Sequence, residues 1–150
     1  MIIYIGADHR GFYLKETLKS ALKSDGYEVI DLGDSKIDDG DDYPEFASAV
    51  AEKVAGTGQE VRGIVVCGSG IGVDIVANKF SGVRSALAIS AEQIRAGRQD
   101  DDVNVLSLAA GFIKPEDALD IARVFLSTPF VKEERYSRRL GEIAQIEESK

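Results

Sequence analysis

The 150-residue chain has no tryptophan and only one cysteine, one methionine and one histidine. A single cysteine, Cys67, excludes an intramolecular disulfide and a four-cysteine zinc site, and a single histidine, His9, argues against a histidine-rich metal centre. No apolar run approaches the ~18–20 residues needed to span a bilayer. The first apolar stretch, Met1 to Ile5, is too short for a secretory signal and has no basic start. These absences lead us to expect a soluble, cytoplasmic protein without a membrane partner. Basic residues are also scarce: 18 Lys and Arg against 26 Asp and Glu give a net charge of −8. Such a surface repels nucleic acid. A small phosphate ligand, which responds to local charge, remains compatible with it. What is present is an ordinary globular share of hydrophobic residues, 44%, in a length that suggests one domain over residues 1–150.

Short β-branched runs alternate with amphipathic ones. Strands are expected at Ile2–Ile5, Tyr27–Leu32, Gly63–Val66, Val83–Ile89 and Val103–Leu108. Phe12, Leu14, Leu18 and Leu22 recur at helical spacing with Lys15, Glu16, Lys19 and Lys23 between them, and Gly26 follows the end. Pro44 and Pro115 open further helices. Shorter helices are expected over 71–79 and 91–98, and a charged one over about 133–147. Five apolar strands alternating with helices predict a parallel sheet covered on both faces, an α/β fold with its ligand site at the carboxyl edge near a topological switch point. Three polar or glycine-rich segments are expected at that edge: Gly6–Gly11, Cys67–Gly72 and Arg98–Asn104.

Cys67-Gly68-Ser69-Gly70-Ile71-Gly72 follows a buried strand and opens a helix. Its glycines let the backbone turn sharply and present N–H groups to an anion. A thiol there, ordinarily near pKa ~8.5, has its thiolate favoured, and the same donors suit an enediolate oxygen. The alternative is an inert cysteine beside a structural turn. The glycine spacing does not fit the dinucleotide fingerprint, and the turn follows the third strand, not the first. Asp8, His9 and Arg10 offer a carboxylate, an imidazole and a guanidinium in succession, although Asp8 could simply cap the next helix. Asp100, Asp101 and Asp102 form either a solvated loop or a cluster whose mutual repulsion raises one pKa. Arg135 and Arg139, four apart, share a helix face suited to phosphate or to pairing with Glu134 and Glu142.

Taken in order, six stretches resemble the ribose-5-phosphate isomerase type B and galactose-6-phosphate isomerase family. They are Gly6–Phe12, Asp42–Ala47, Cys67–Gly72, Ala77–Lys79, Asn104–Leu106 and Glu134–Arg139. The resemblance implies a three-layer α/β/α Rossmann-like fold with a five-stranded parallel sheet. It implies a homodimer, which could pair into a tetramer, with the site at the dimer interface and the last helix packing on the partner subunit. No metal or organic cofactor is implied. The implied reaction converts an open-chain aldose phosphate to a ketose phosphate through a cis-enediolate, with ribose 5-phosphate and ribulose 5-phosphate the default pair. Another pentose or hexose phosphate, of galactose, allose or deoxy-sugar type, is an alternative, as is a non-catalytic sugar-phosphate-binding module.

Carried over by position, Cys67 is the base between C1 and C2. Ser69 and the backbone of Gly68, Gly70, Ile71 and Gly72 hold the enediolate oxygen. Asp8 and Tyr43 contact sugar hydroxyls, and His9, Arg135 and Arg139 face the phosphate. Relatives without the cysteine use a glutamate at the position of Val73, so here the base falls to Cys67. The chain departs from the family at Asp100, which stands where a ring-opening histidine is usual, and at Asp101, a substrate contact in place of asparagine. Gly111 replaces a frequent arginine that helps hold phosphate, for which Arg10 or Arg138 could compensate, and Tyr136 replaces a frequent histidine; these changes point to a divergent subfamily.

Overall fold

β-Branched side chains favour extended backbone and dominate the sheet at Ile2–Ile5, Val29–Ile30 and Ile64–Val66, whereas its other strands are built mainly from Leu, Ala and Ser. The computed structural model describes residues 1–149; Lys150, the last residue of the expected domain, lies outside the described residues. Strands β1 (Ile2–Ala7), β2 (Glu28–Asp31), β3 (Val61–Cys67), β4 (Ser85–Leu87) and β5 (Val105–Ala109) are all parallel. Their order is β2-β1-β3-β5-β4. The helices among the described residues are α1 (Phe12–Ser24), α2 (Tyr43–Val54), α3 (Ile71–Ala77), α4 (Ala91–Asp101), α5 (Pro115–Ser127) and α6 (Glu134–Glu148). The three-layer α/β/α arrangement expected from the sequence is the one found.

The two-residue period of a strand divides the core. Ile3, Ile5, Ile64, Val66, Leu106 and Leu108 face α1, α4 and α5, whereas Val65, Cys67 and Val105 face α2 and α3. Each fully buried aliphatic side chain contributes roughly 1.5–3 kcal/mol. Several expected bounds shift. β4 is three residues, not Val83–Ile89, because the Val83 N–H still closes a turn onto Phe80 O (3.0 Å) and Ser90 already caps α4. α3 stops at Ala77, and α4 continues past Arg98 to Asp101. Lys15, expected on the polar side of α1, is fully buried at 0% exposure. Its Nζ reaches Asp31 Oδ2 and Glu16 Oε1, both at 2.6 Å.

The sheet order fixes where a ligand can go. β1 and β3 are neighbours, but β1 connects through α1 on one face and β3 through α3 on the other. Their carboxyl ends therefore open a crevice at the switch point. The Arg98–Asn104 segment is not there, contrary to the sequence-based expectation. It precedes β5, so it enters at the amino edge: the Gly63 N–H donates to Asn104 O (3.0 Å), next to the first β3–β5 register pair, Gly63 with Val105. Its acids do not form a repelling cluster either. Asp102 is held by Arg98 Nη1 (2.7 Å) and Arg84 Nη2 (3.0 Å).

α6 keeps to this amino edge. Leading into it, the Val131 N–H donates to the Gln99 carbonyl (3.1 Å), and near its end Glu147 Oε2 accepts the Gly82 N–H (2.8 Å). None of its described residues is buried, and Ile143 and Ile146 stand exposed on it. Among the described residues, no helix is long and apolar enough to cross a membrane.

Candidate active site

β3 ends on Cys67, and the chain turns through Gly68-Ser69-Gly70 into α3. Gly70 adopts φ +72°, a left-handed conformation that L side chains rarely take. An added Cβ would also lie 2.5 Å from Leu87 Cδ1. This turn aims the Gly70 N–H at Cys67 Sγ (3.1 Å), the contact a thiolate accepts, while the Ile71 N–H donates to Ser69 Oγ (3.3 Å). Cys67 is 4% exposed yet lines a cavity of about 270 Å³, so the residue is at the floor of a pocket and not sealed in the core.

The segment after β1 forms the facing wall. Asp8 is buried, and its Oδ1 accepts the Gly11 N–H (2.9 Å) just before α1 begins. That contact shapes the turn, whereas α1 itself starts without a side-chain cap. His9 Nδ1–H donates to Asp41 Oδ1 (2.6 Å), and the His9 backbone N–H donates to the same oxygen (3.0 Å). The hydrogen bond to Asp41 raises the imidazole pKa above its ordinary value; partial burial opposes this, and the charges of Asp41, Asp8 and Asp39 add to it. The cation is therefore favoured, as suits an anionic ligand. Tyr43, the first residue of α2, lays its ring against Gly72.

Of the residues expected at the site, Asp8, His9, Tyr43, Cys67, Gly68, Ser69 and Gly72 line this one cavity. Gly70 and Ile71 shape it through their backbone N–H groups. Asp100, Asp101, Arg135 and Arg139 do not line it. Arg135 pairs with Glu133 (3.0 Å), and it is Arg138 that approaches Glu134 (3.5 Å) and Glu142 (3.7 Å). The sequence reading gave no role to Asp41, which orients His9. Nor did it give a definite one to Arg10, which lines the same cavity. The only signal for Asp41 was the aspartate-rich loop it sits in. Among the described residues, no three His, Cys, Asp or Glu side chains are grouped to hold a metal ion.

A thiol below an N–H-lined turn, flanked by a carboxylate, a phenol and a favoured imidazolium, can move a proton beside a carbonyl and hold an anion. Comparison with known proteins gives the same direction. The probable ribose-5-phosphate isomerase B of Mycoplasma genitalium is 39% identical over 145 residues, 97% of this chain and 95% of that one. The crystal structure of ribose-5-phosphate isomerase B from Mycoplasma genitalium with bound ribulose-5-phosphate superposes with a TM-score of 0.94 at 38% identity, covering 99% of this chain and 97% of that one. Ribose-5-phosphate isomerase B of Clostridium thermocellum gives a TM-score of 0.92 at 40% identity, covering 99% of each. The model of the ribose/galactose isomerase family matches residues 3–143, which span every element from β1 into α6. With likeness in sequence and fold running through the elements that build the cavity, the chain belongs to the ribose/galactose isomerase family.

Proposed function

We propose that this protein is an aldose–ketose isomerase that interconverts ribose 5-phosphate and ribulose 5-phosphate through a cis-enediolate. The observation that carries the reading is Cys67 lining the switch-point cavity, with its Sγ within reach of the Gly70 N–H (3.1 Å). It gains support from relatives of the same length and fold that bear the ribose-5-phosphate isomerase B name, one of them with ribulose-5-phosphate bound.

In the forward direction the Cys67 thiolate takes the proton from C2 of the open-chain aldose. The electron pair forms the C1–C2 double bond, and the carbonyl oxygen on C1 takes up the negative charge. N–H groups of the Gly68–Gly72 turn and the Ser69 hydroxyl stabilise that oxygen. Transfer of the O2 proton to O1, and return of the thiol's proton to C1 as the C2=O bond forms, complete the ketose and restore the thiolate. Asp8 and Tyr43 hold sugar hydroxyls, and His9 faces the phosphate.

Asp100, Asp101, Arg135 and Arg139 serve this site only from a second copy, because within one protomer they lie at the other edge of the sheet. A homodimer seating α6 on its neighbour meets this need and covers Ile143 and Ile146. A lone thiol working as a base also suits the reducing cytoplasm.

Cys67→Ala should fold normally by circular dichroism and lose turnover by at least about 10³-fold, as expected for removal of a positioned base. It should also stop exchange of the substrate C2 proton with solvent. Retained exchange in that variant would remove Cys67 as the base.

A further inference from the structure

The cavity has a floor and a rim of different character. Cys67, 4% exposed, is at the floor, and the exposed Arg10 is at the rim beside the half-buried His9. A phosphate dianion is costly to strip of water. A sugar phosphate that reacts at the sulfur therefore enters carbonyl first and leaves its phosphate at the rim. His9 and Arg10 are the basic side chains lining the cavity there.

Arg10 is held in place by shape. Its guanidinium lies on the backbone of Gly68, where an added Cβ would be 2.5 Å from Nε and 2.6 Å from Cζ. It fits only because residue 68 has no side chain. Arg84 and Arg98 are engaged by Asp102, and Arg123 by Asp25, whereas Arg10 makes no ion pair or side-chain hydrogen bond among the described residues. Of the acids lining the cavity, Asp8 Oδ1 receives the Gly11 N–H and Asp41 receives His9, while the exposed Asp42 forms no ion pair with Arg10. Arg10 is further the one residue shared between this cavity and an adjoining hollow of about 290 Å³ lined by Tyr13, Leu14, Ala110 and Pro115, so it closes the cavity on that side.

We propose that Arg10 is a phosphate-anchoring residue that forms, with His9, a two-cation clamp on the phosphate monoester, contributed by the same subunit as Cys67. The identity of the substrate rests on the isomerase reading above; the grip on phosphate does not. Arginine matches two phosphate oxygens with its planar donor fork, whereas lysine offers a point charge.

The test uses the full chain with Arg10→Gln and Arg10→Lys. Inorganic phosphate binding is measured by calorimetry, and steady-state kinetics are run on ribose 5-phosphate. Loss of a charge-assisted contact predicts that Arg10→Gln weakens inorganic phosphate about 10- to 100-fold. KM should rise by a similar factor while kcat changes by less than about 3-fold, the pattern of lost uniform binding. Arg10→Lys should recover part of the phosphate affinity. Unchanged phosphate affinity in Arg10→Gln, or a fall in kcat without one in phosphate binding, overturns the assignment. If the wild type binds phosphate through Arg10 but does not turn over ribose 5-phosphate, the substrate reading fails and the anchor stands.

Discussion

His9 is the only imidazole in the chain, so its titration can be followed by NMR without assignment ambiguity. Its pKa is raised chiefly by the hydrogen bond to Asp41 (2.6 Å). The stabilisation from this contact is fully present below the unfolded value near ~6.5 and is lost as pH rises through the higher folded value. Asp41→Asn should therefore move the His9 titration to lower pH, and the pH at which KM for the sugar phosphate climbs should fall with it. An unmoved titration would show that Asp41 does not set the charge. Gly70→Ala tests the turn itself. Its φ of +72° and the 2.5 Å approach to Leu87 make a methyl group strained. The cost should be about 1–3 kcal/mol in chemical denaturation, with kcat lowered by displacement of the Gly70 N–H from Sγ. Cys67, Ser69, Asp8 and His9 were legible in the sequence because each lies at or just past the end of a recognisable strand, and parallel topology sends such positions to one edge. Asp41 was not. It meets His9 across 32 positions, from a loop that also holds Asp34, Asp38, Asp39 and Asp42, and nothing local distinguishes it from them.

The α1–β2 junction shows how an element's polar face serves the fold. Lys15 and Lys19 from α1 each reach both Glu16 and Asp31 at 2.6 Å, and the Gly33 N–H adds a bond to Asp31 Oδ1 (2.9 Å). The network fastens α1 to the point where the chain leaves β2 for the loop that carries Asp41. Burial pushes the Asp31 carboxyl up, but the bonds from Lys15, Lys19 and Gly33 outweigh it and hold the group below its ordinary value. Glu16 is lowered against burial in the same way. Both carboxylates thus stabilise the fold above their unfolded pKa values near ~4, and the contribution fades as pH falls through the depressed folded ones. Asp31→Asn leaves the buried Lys15 ammonium with Glu16 as its one carboxylate partner, beside the Asp34 carbonyl (3.4 Å). It should cost about 3 kcal/mol at neutral pH, read by urea denaturation, and that difference from wild type should shrink as the pH is lowered. The leucine spacing of α1 was readable, as were its bounds. The burial of Lys15 was not, because a lysine beside apolar positions reads as a solvated flank until its partner sixteen residues away is in place.

At the scale of the molecule, the decisive fact is which edge of the sheet each segment occupies. A segment that follows a strand lies at the carboxyl edge, and one that precedes a strand lies at the amino edge. The aspartates of 100–102 precede β5, so the same rule that located Cys67 also separates them from it; reading them as a polar segment, without regard to which end of β5 they adjoin, put them on the wrong side. α6 shares their edge, tied to Gln99 at one end and Gly82 near the other. A protomer therefore keeps its thiol and its α6 arginines apart, and a second copy is what can bring one edge against the other. This arrangement can be tested by mixing subunits. Cys67→Ala and an Arg135→Ala/Arg139→Ala double variant should each be inactive alone. After denaturation and joint refolding at equal amounts, about half the dimers are mixed, and each mixed dimer has one site with both lesions and one with neither. Activity should return to about a quarter of wild type under the same refolding protocol. Recovery at that level places the arginines opposite a neighbour's Cys67. No recovery, with mixed dimers demonstrated by native mass spectrometry, would mean that each site draws its thiol and its arginines from one chain, and the packing of α6 on the partner would have to be abandoned.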